Sequence, residues 1–504
     1  MVRGFWISIL SLAALSAAAC SALTMRPELQ KAPPQTIPTE RDRPFTKEQA
    51  KQDIDLAKQA IIDIHPGYDR YTSAHQLDLA WAALEADIEA GVSVETLYVG
   101  LSRVLTEIRC DHTKAELPSG LLKRRTETAS FFPFRIMATS EGFYVYSAIK
   151  ETDLRPGDRV TAINNLAIAD IADEIYELIP VDGFTDHAKR AAFEATGEFL
   201  GSGFEHFYPL IYGDWLTTTI DVVRDGEPIS VQATPIDWTD WRNLDWPGPA
   251  YRSDFVDSVQ FDVLDGVGYL RIDTFVNYRR PVDPAEIYRP IFQRLQKDQI
   301  KTLIIDTRFN GGGSTDAVIG LLGFVSSDTS PLFASKRVRT IDLSAYAEQI
   351  ETWDPRALTP DPTGFTARAD GWFEVLPKTD PIALAPIPPQ TPEFKGDLIA
   401  LTSRANASGV TMLLSSLRDR ADAILIGEAT GGSSEGPTAG QIFFLELPHS
   451  GIRIRIPWQL QRSNVEVFEK GLGVTPDIAL QMTASDRLAD RDPVLEVALN
   501  RARP

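Results

Sequence analysis

From about residue 255 to the end of the chain, short apolar runs of the kind that form buried strands alternate with longer runs of helical periodicity. The strand-like runs include VGYLRIDTF, KTLIIDTR, DLIALTSR and DAILIGEA, and the helical ones include DAVIGLLGFV and SGVTMLLSSLRDR. Parallel strands cannot be joined by a hairpin and need a crossover, so this alternation predicts βαβ units around a largely parallel sheet. Residues 255–504 are therefore expected to form an α/β domain. Two late runs, QIFFLEL and IRIRIPWQL, flank Pro448-His449-Ser450-Gly451 and predict an antiparallel pair.

The upstream segments read differently. Thr46 and Gln49 form a capping-box pattern, after which Ala50, Ile54, Ala57, Ile61 and Ile64 recur at helical spacing until His65-Pro66-Gly67. Two more amphipathic stretches, 74–90 and 94–109, complete a predicted N-terminal helical domain over 45–125. From Phe131 the pattern shortens to alternating segments, with Asp225-Gly226 as a hairpin-turn signal in TTTIDVVRDGEPISVQATPI. Leu154-Arg155-Pro156-Gly157-Asp158-Arg159-Val160 resembles the turn and strand of PDZ domains, so 126–240 is expected to be a PDZ-like, β-rich domain that captures extended peptides. The stretch 180–215 is the size of an insertion in that pattern.

At 504 residues, with 50 Lys+Arg against 70 Asp+Glu and a formal charge of −20, the chain is acidic enough to repel a phosphate backbone, and no nucleic-acid partner is expected. Arg3 followed by the uncharged run Phe5 to Ala19 reads as an export signal too short to span a bilayer. Residues 1–22 are read as a signal peptide and 23–44, rich in Pro and charge, as a linker. Cys20 follows Leu15-Ser16-Ala17-Ala18-Ala19, a context for bacterial lipoprotein processing and equally for ordinary cleavage after a small-x-small triplet. The expected location is periplasmic, or on a membrane through a lipidated Cys20. The only other cysteine is Cys110, so no disulfide is expected.

Two strand-to-helix turns carry chemistry. In KTLIIDTRFNGGG, three glycines let backbone N–H groups face an anion or a developing oxyanion, although a tight turn alone would also place glycine there. In Ala405-Asn406-Ala407-Ser408-Gly409, a serine sits where its hydroxyl can be exposed as a nucleophile, although it could equally cap the following helix.

The order of these motifs, Asp306 to Gly313, Ala407-Ser408-Gly409, Gly427-Glu428-Ala429-Thr430-Gly431-Gly432 and Gly473-Val474-Thr475-Pro476-Asp477-Ile478, resembles the C-terminal-processing peptidases. That resemblance implies a crotonase-like α/β protease core, Ser408 as nucleophile, and an oxyanion hole from Gly409 and Gly312. The family's lysine base would fall at Ser433, and no lysine lies between Lys395 and Lys470. The chain is closer here to the tricorn-like, histidine-using branch. Glu107-Ile108-Arg109-Cys110-Asp111-His112-Thr113 matches the place of its histidine, so His112 is the implied general base, and the imidazole of histidine is suited to that role near neutral pH. The resemblance takes the acidic partner from a glutamate before the Gly-Val-Thr-Pro-Asp motif. Glu469 is chosen, with Glu466 and Glu428 as alternatives. Asp111-His112 has no His or Cys partner at ligand spacing, so neither a metal nor a cofactor is expected.

The function expected is peptide-bond hydrolysis of a peptide or protein substrate by an exported serine peptidase. A non-catalytic ligand- or peptide-binding protein on the same scaffold is the alternative. A crotonase-type coenzyme A enzyme shares the glycine loop but not the export signal.

Overall fold

The computed structural model describes residues 45–246 and 254–502; the expected signal peptide and linker lie outside them. The first three helices are Lys47–Ile64, Ala74–Ala90 and Val94–Glu107, each opened by a reciprocal capping box from Thr46, Ser73 and Ser93. These caps satisfy N–H groups that helix geometry leaves without partners. The predicted capping box at Thr46 and Gln49 is thus present. None of the described helices is long and apolar enough to cross a membrane.

Three sheets follow. A six-stranded antiparallel sheet runs from Phe134–Thr139 through Gly142–Ala148, Arg159–Ile163 and Thr218–Arg224 to Glu227–Ala233, with Leu166–Ala167 beside the third of these. Its last hairpin turns on Asp225 and Gly226, at φ 53° and 88°; two consecutive positive φ values match the right-handed twist of the flanking strands. The stretch 180–215 adds the helices Lys189–Glu194 and Gly203–Tyr212.

The predicted βαβ core is the second sheet. Its order is Ile478–Ala479, Ile424–Gly427, Asp397–Thr402, Thr302–Asp306, Val267–Ile272 and Val259–Leu264, parallel except for the last pair. The helices Thr315–Val325 and Ser408–Ala421 supply buried apolar faces to its core. The strand Thr302–Asp306 is buried at every position, as a strand covered on both sides must be.

Thr438–Glu446 and Arg453–Ser463 pair antiparallel as expected, and belong to a third, seven-stranded sheet with Phe333–Val338 and four short strands. The packing of this sheet crosses the boundaries expected from sequence. Phe443, Ile454, Ile456 and Trp458 share one hydrophobic core with Ile54, Ile61, Leu101 and the sheet over 134–233. The strand Arg453–Ser463 also pairs with Ala115–Glu116, just after the third helix. The N-terminal helices are therefore built into the wall of the molecule, and the turn that follows them is held against the α/β core.

Candidate active site

Both strand-to-helix turns of the parallel sheet end at the same place because polar side chains of one bond to backbone carbonyls of the other. Asn406 is fully buried; its Nδ2 donates to the carbonyls of Thr307 and Asn310 at 2.6 and 3.0 Å, and its Oδ1 accepts the N–H of Ser403 at 2.7 Å. Ser403 Oγ donates to the Arg308 carbonyl at 2.5 Å. Arg308 is pinned by Asp306 and Asp492, each at 2.7 Å. Gly432, from the third motif, donates its N–H to the Asn406 carbonyl at 2.9 Å.

This lacing holds Ser408, the first residue of its helix, at φ 50°. A β-carbon is disfavoured in that left-handed region, and such strain persists only where the surroundings enforce it. The side chain of Ser408 is thereby turned into an open cleft of about 2320 Å³, which is also lined by His112, Gly311, Gly312, Gly313 and Gly409. Gly312 sits against the nucleophile turn at φ 112°; a β-carbon there would lie 2.8 Å from the Ala407 carbonyl and 2.9 Å from Ser408 Cβ.

The expected oxyanion donors divide differently from the expectation. Gly409 N–H has no hydrogen-bond partner among the described residues. Gly312 N–H, in contrast, donates to Asn310 Oδ1 at 2.8 Å. In the glycine loop near Gly409, Gly312 O accepts from Phe275 and Ser314 N–H donates back to Phe275, which leaves the intervening Gly313 N–H pointing away from that strand.

His112 arrives from the turn after the third helix. Arg109 ends the helix at φ 57°, Thr113 N–H closes the turn on the Cys110 carbonyl, and His112 Nε2 comes to 3.2 Å from Ser408 Oγ. The structure thus brings together Ser408, His112, Gly409 and Gly312 as sequence reasoning expected. The other histidines are elsewhere. His65 is buried, with Nε2 at 2.7 Å from Thr113 Oγ1 and Nδ1 accepting from Gly67, and burial holds it down at about 3. His206 faces Tyr98 at 2.9 Å, His187 faces the carbonyls of Ala429 and Thr430, and His75 and His449 are exposed.

The expected acid does not reach the histidine. His112 Nδ1 is buried and has no hydrogen-bond partner, and the side chains of Glu469 and Glu466 are exposed. The loop carrying them turns outward, with Leu472 N–H closing on the Glu469 carbonyl and Glu466 N–H donating to Asp419. Glu428 is 3.7 Å from Arg404. Ser433, the family's lysine position, is buried at 3.4 Å from the Tyr71 hydroxyl, which donates to Glu435 at 2.5 Å. Lys114, near the site, is ion-paired with Asp111 at 3.1 Å and Glu198 at 3.6 Å; burial pushes its pKa down, and these carboxylates more than offset that, so it stays charged and unsuited to be a base.

A residue not singled out from sequence lies beside His112. Donor atoms of Cys110, His112 and Asp182 all fall within 4.8 Å of one another. Burial pushes the Cys110 thiol up to about 12.

A model of peptidase family S41 matches residues 266–480. Similar solved structures include mature CPAF complexed with lactacystin, with a TM-score of 0.61 and 15% identity over 90% of this chain and 98% of that one. Mature CPAF alone is similar at a TM-score of 0.60 and 15% identity, over 90% of this chain and 96% of that one. At such identity these two likenesses speak for the fold. Residues 266–480, which hold the glycine loop and the Ser408 turn, are thus similar to peptidase family S41.

Proposed function

We propose that this protein is exported and hydrolyses peptide bonds by acyl transfer, with Ser408 as nucleophile and His112 as general base. The observation that carries the reading is the 3.2 Å approach of His112 Nε2 to Ser408 Oγ across an open cleft. His112 takes the hydroxyl proton as Ser408 Oγ attacks the scissile carbonyl, then returns it to the leaving amine; water repeats the cycle on the acyl-enzyme. The N–H groups of Gly409 and Gly313 stabilise the oxyanion, while Gly312 supplies the close approach that a side chain would block. The segment 126–240 acts as a PDZ-like module that presents extended peptide, and the export signal places the enzyme in the periplasm or, through an acylated Cys20, on a membrane.

The test is hydrolysis of a quenched fluorescent peptide library by the purified mature protein. Ser408→Ala and His112→Ala are each expected to lower turnover by roughly 10⁴-fold or more. A Ser408→Ala protein that still cleaves at the wild-type rate refutes the assignment. Mass spectrometry of the mature N-terminus, for an acylated Cys20 or a free terminus, tests the export reading; retention of residues 1–15 contradicts it.

A further inference from the structure

The reading of Ser408 and His112 leaves one side of the imidazole unexplained. A neutral histidine that accepts a proton at Nε2 must carry its own proton at Nδ1, and a buried N–H without an acceptor is costly. His112 Nδ1 is such an atom, buried and without a partner. Asp182 carries the complement: its Oδ1 accepts the Asp111 N–H at 2.9 Å, while its Oδ2 is buried with no partner. A carboxylate oxygen of Asp182 and a ring nitrogen of His112 lie within 4.8 Å, and Nε2 faces Ser408.

Resting on the Ser408 and His112 reading, we propose that Asp182 is the positioning acid of the site, its carboxylate receiving the Nδ1 proton of His112 in the role expected of Glu469. The contact closes by a small rotation of either side chain, as catalytic hydrogen bonds that are long without substrate do on binding. Asp182 is held for this on a short loop. Gly183 N–H donates to the Arg109 carbonyl at 2.9 Å, and Thr185 Oγ1 lies 2.7 Å from the Asp182 carbonyl and 2.6 Å from that of Gly431. The nearest alternative acid, Asp111, is occupied by Lys114. The other charged or titratable groups around the pair are Cys110, Arg70, His65 and Glu198.

Burial raises the Asp182 carboxyl, with the neighbouring His112 opposing it. A carboxyl raised in the folded state costs stability as pH climbs from its unfolded pKa through the folded one, and the cost persists above it. Asp182→Asn keeps an oxygen for the Asp111 N–H and removes that cost. A supporting residue lost for purely structural reasons would lower stability, whereas this variant is expected to melt at or above the wild-type temperature at pH 7.5.

The experiment compares wild type, Asp182→Asn, Asp182→Glu, Glu469→Gln and Glu466→Gln, all as mature protein. Asp182→Asn is expected to lower kcat by roughly 10²- to 10⁴-fold with little change in KM, and to move the acid limb of kcat/KM to lower pH, since an imidazolium without its anion forms less readily. Asp182→Glu is expected to recover part of the loss, and the two glutamate variants to stay within about threefold of wild type. An Asp182→Asn enzyme within threefold of wild type with an unmoved limb overturns the proposal, as does a loss confined to Glu469→Gln or Glu466→Gln. Should Asp182→Asn fail to fold, ¹⁵N-histidine NMR of the wild type decides: a proton on Nδ1 of neutral His112 supports Asp182, and a proton on Nε2 overturns it. Wild-type protein that a fluorophosphonate does not label at Ser408 fails the underlying reading instead, so the two failures are distinguishable.

Discussion

Replacing Ser408 by alanine and by glycine isolates the strain in the nucleophile turn, because the two products differ by one β-carbon and neither has the hydroxyl. In an ordinary helical position alanine is the more stable by about 0.8–1 kcal/mol. Ser408 instead has φ 50°. A residue with a β-carbon loses roughly 1–2 kcal/mol in that region, and glycine returns about 0.5–1 kcal/mol through its greater freedom in the unfolded chain. The difference favours glycine by about 0.5–1 kcal/mol, less a few tenths for the contact that the β-carbon makes beside Gly312. Urea unfolding of the two variants at pH 7.5 measures it directly. Glycine equal to or above alanine in stability is the expected result. Alanine ahead by the usual helical margin would show that the turn is not strained and that its lacing by Asn406 and Ser403 does not hold the serine as described.

Gly312→Ala places a β-carbon within 3 Å of the Ala407 carbonyl and Ser408 Cβ; displacement of the nucleophile should lower kcat by about 10²-fold or more with the fold intact by circular dichroism. Ser433→Ala should leave peptide hydrolysis within a few-fold of wild type, since a hydroxyl rather than a lysine stands there; inactive, folded protein would refute the histidine-base account. His65 and His206 are fully buried with their pKa held down by desolvation, His65 to about 3. A base depressed in the folded state begins to cost stability as pH falls through its unfolded pKa, and the cost grows until the folded value is reached, so each should cost about 1.3 kcal/mol between pH 7 and 5.5. Urea unfolding at the two pH values checks this, and a His65→Gln protein with the full wild-type decline would contradict the share assigned to His65.

What was legible in the sequence was local. Thr46 with Gln49 specifies a helix start, Asp225-Gly226 a tight hairpin, and the apolar run before Asp306 a doubly covered strand, because each depends on a few neighbouring residues. That His112 and Ser408 come together was legible through motif order and the missing lysine. The proposed acid was not, since Asp182-Gly183-Phe184-Thr185 reads as a turn inside an apparent insertion, and its meeting with Cys110 to Thr113 depends on how loops some 70 residues apart pack. The one local signal was an aspartate followed by Gly183, at φ 57° and pressed against Gly471. The direction of each N–H in Gly311-Gly312-Gly313 was equally hidden, because it follows from φ values of 112° and 136° and from the Asn310 side chain rather than from residue identity. The exchange of apolar strands between the expected domains escaped for a similar reason: the period of Ile454, Ile456 and Trp458 announces a half-buried strand without saying which core receives it.

The central claim is that Ser408 is a nucleophile activated by His112, and covalent labelling tests it most directly. Mature wild-type protein treated with a fluorophosphonate at pH 7.5 should carry one adduct, mapped to the peptide containing Ser408. The His112→Ala protein, folded by circular dichroism, should label at least 10²-fold more slowly. An adduct on another serine, or equal labelling rates for wild type and His112→Ala, would contradict the account.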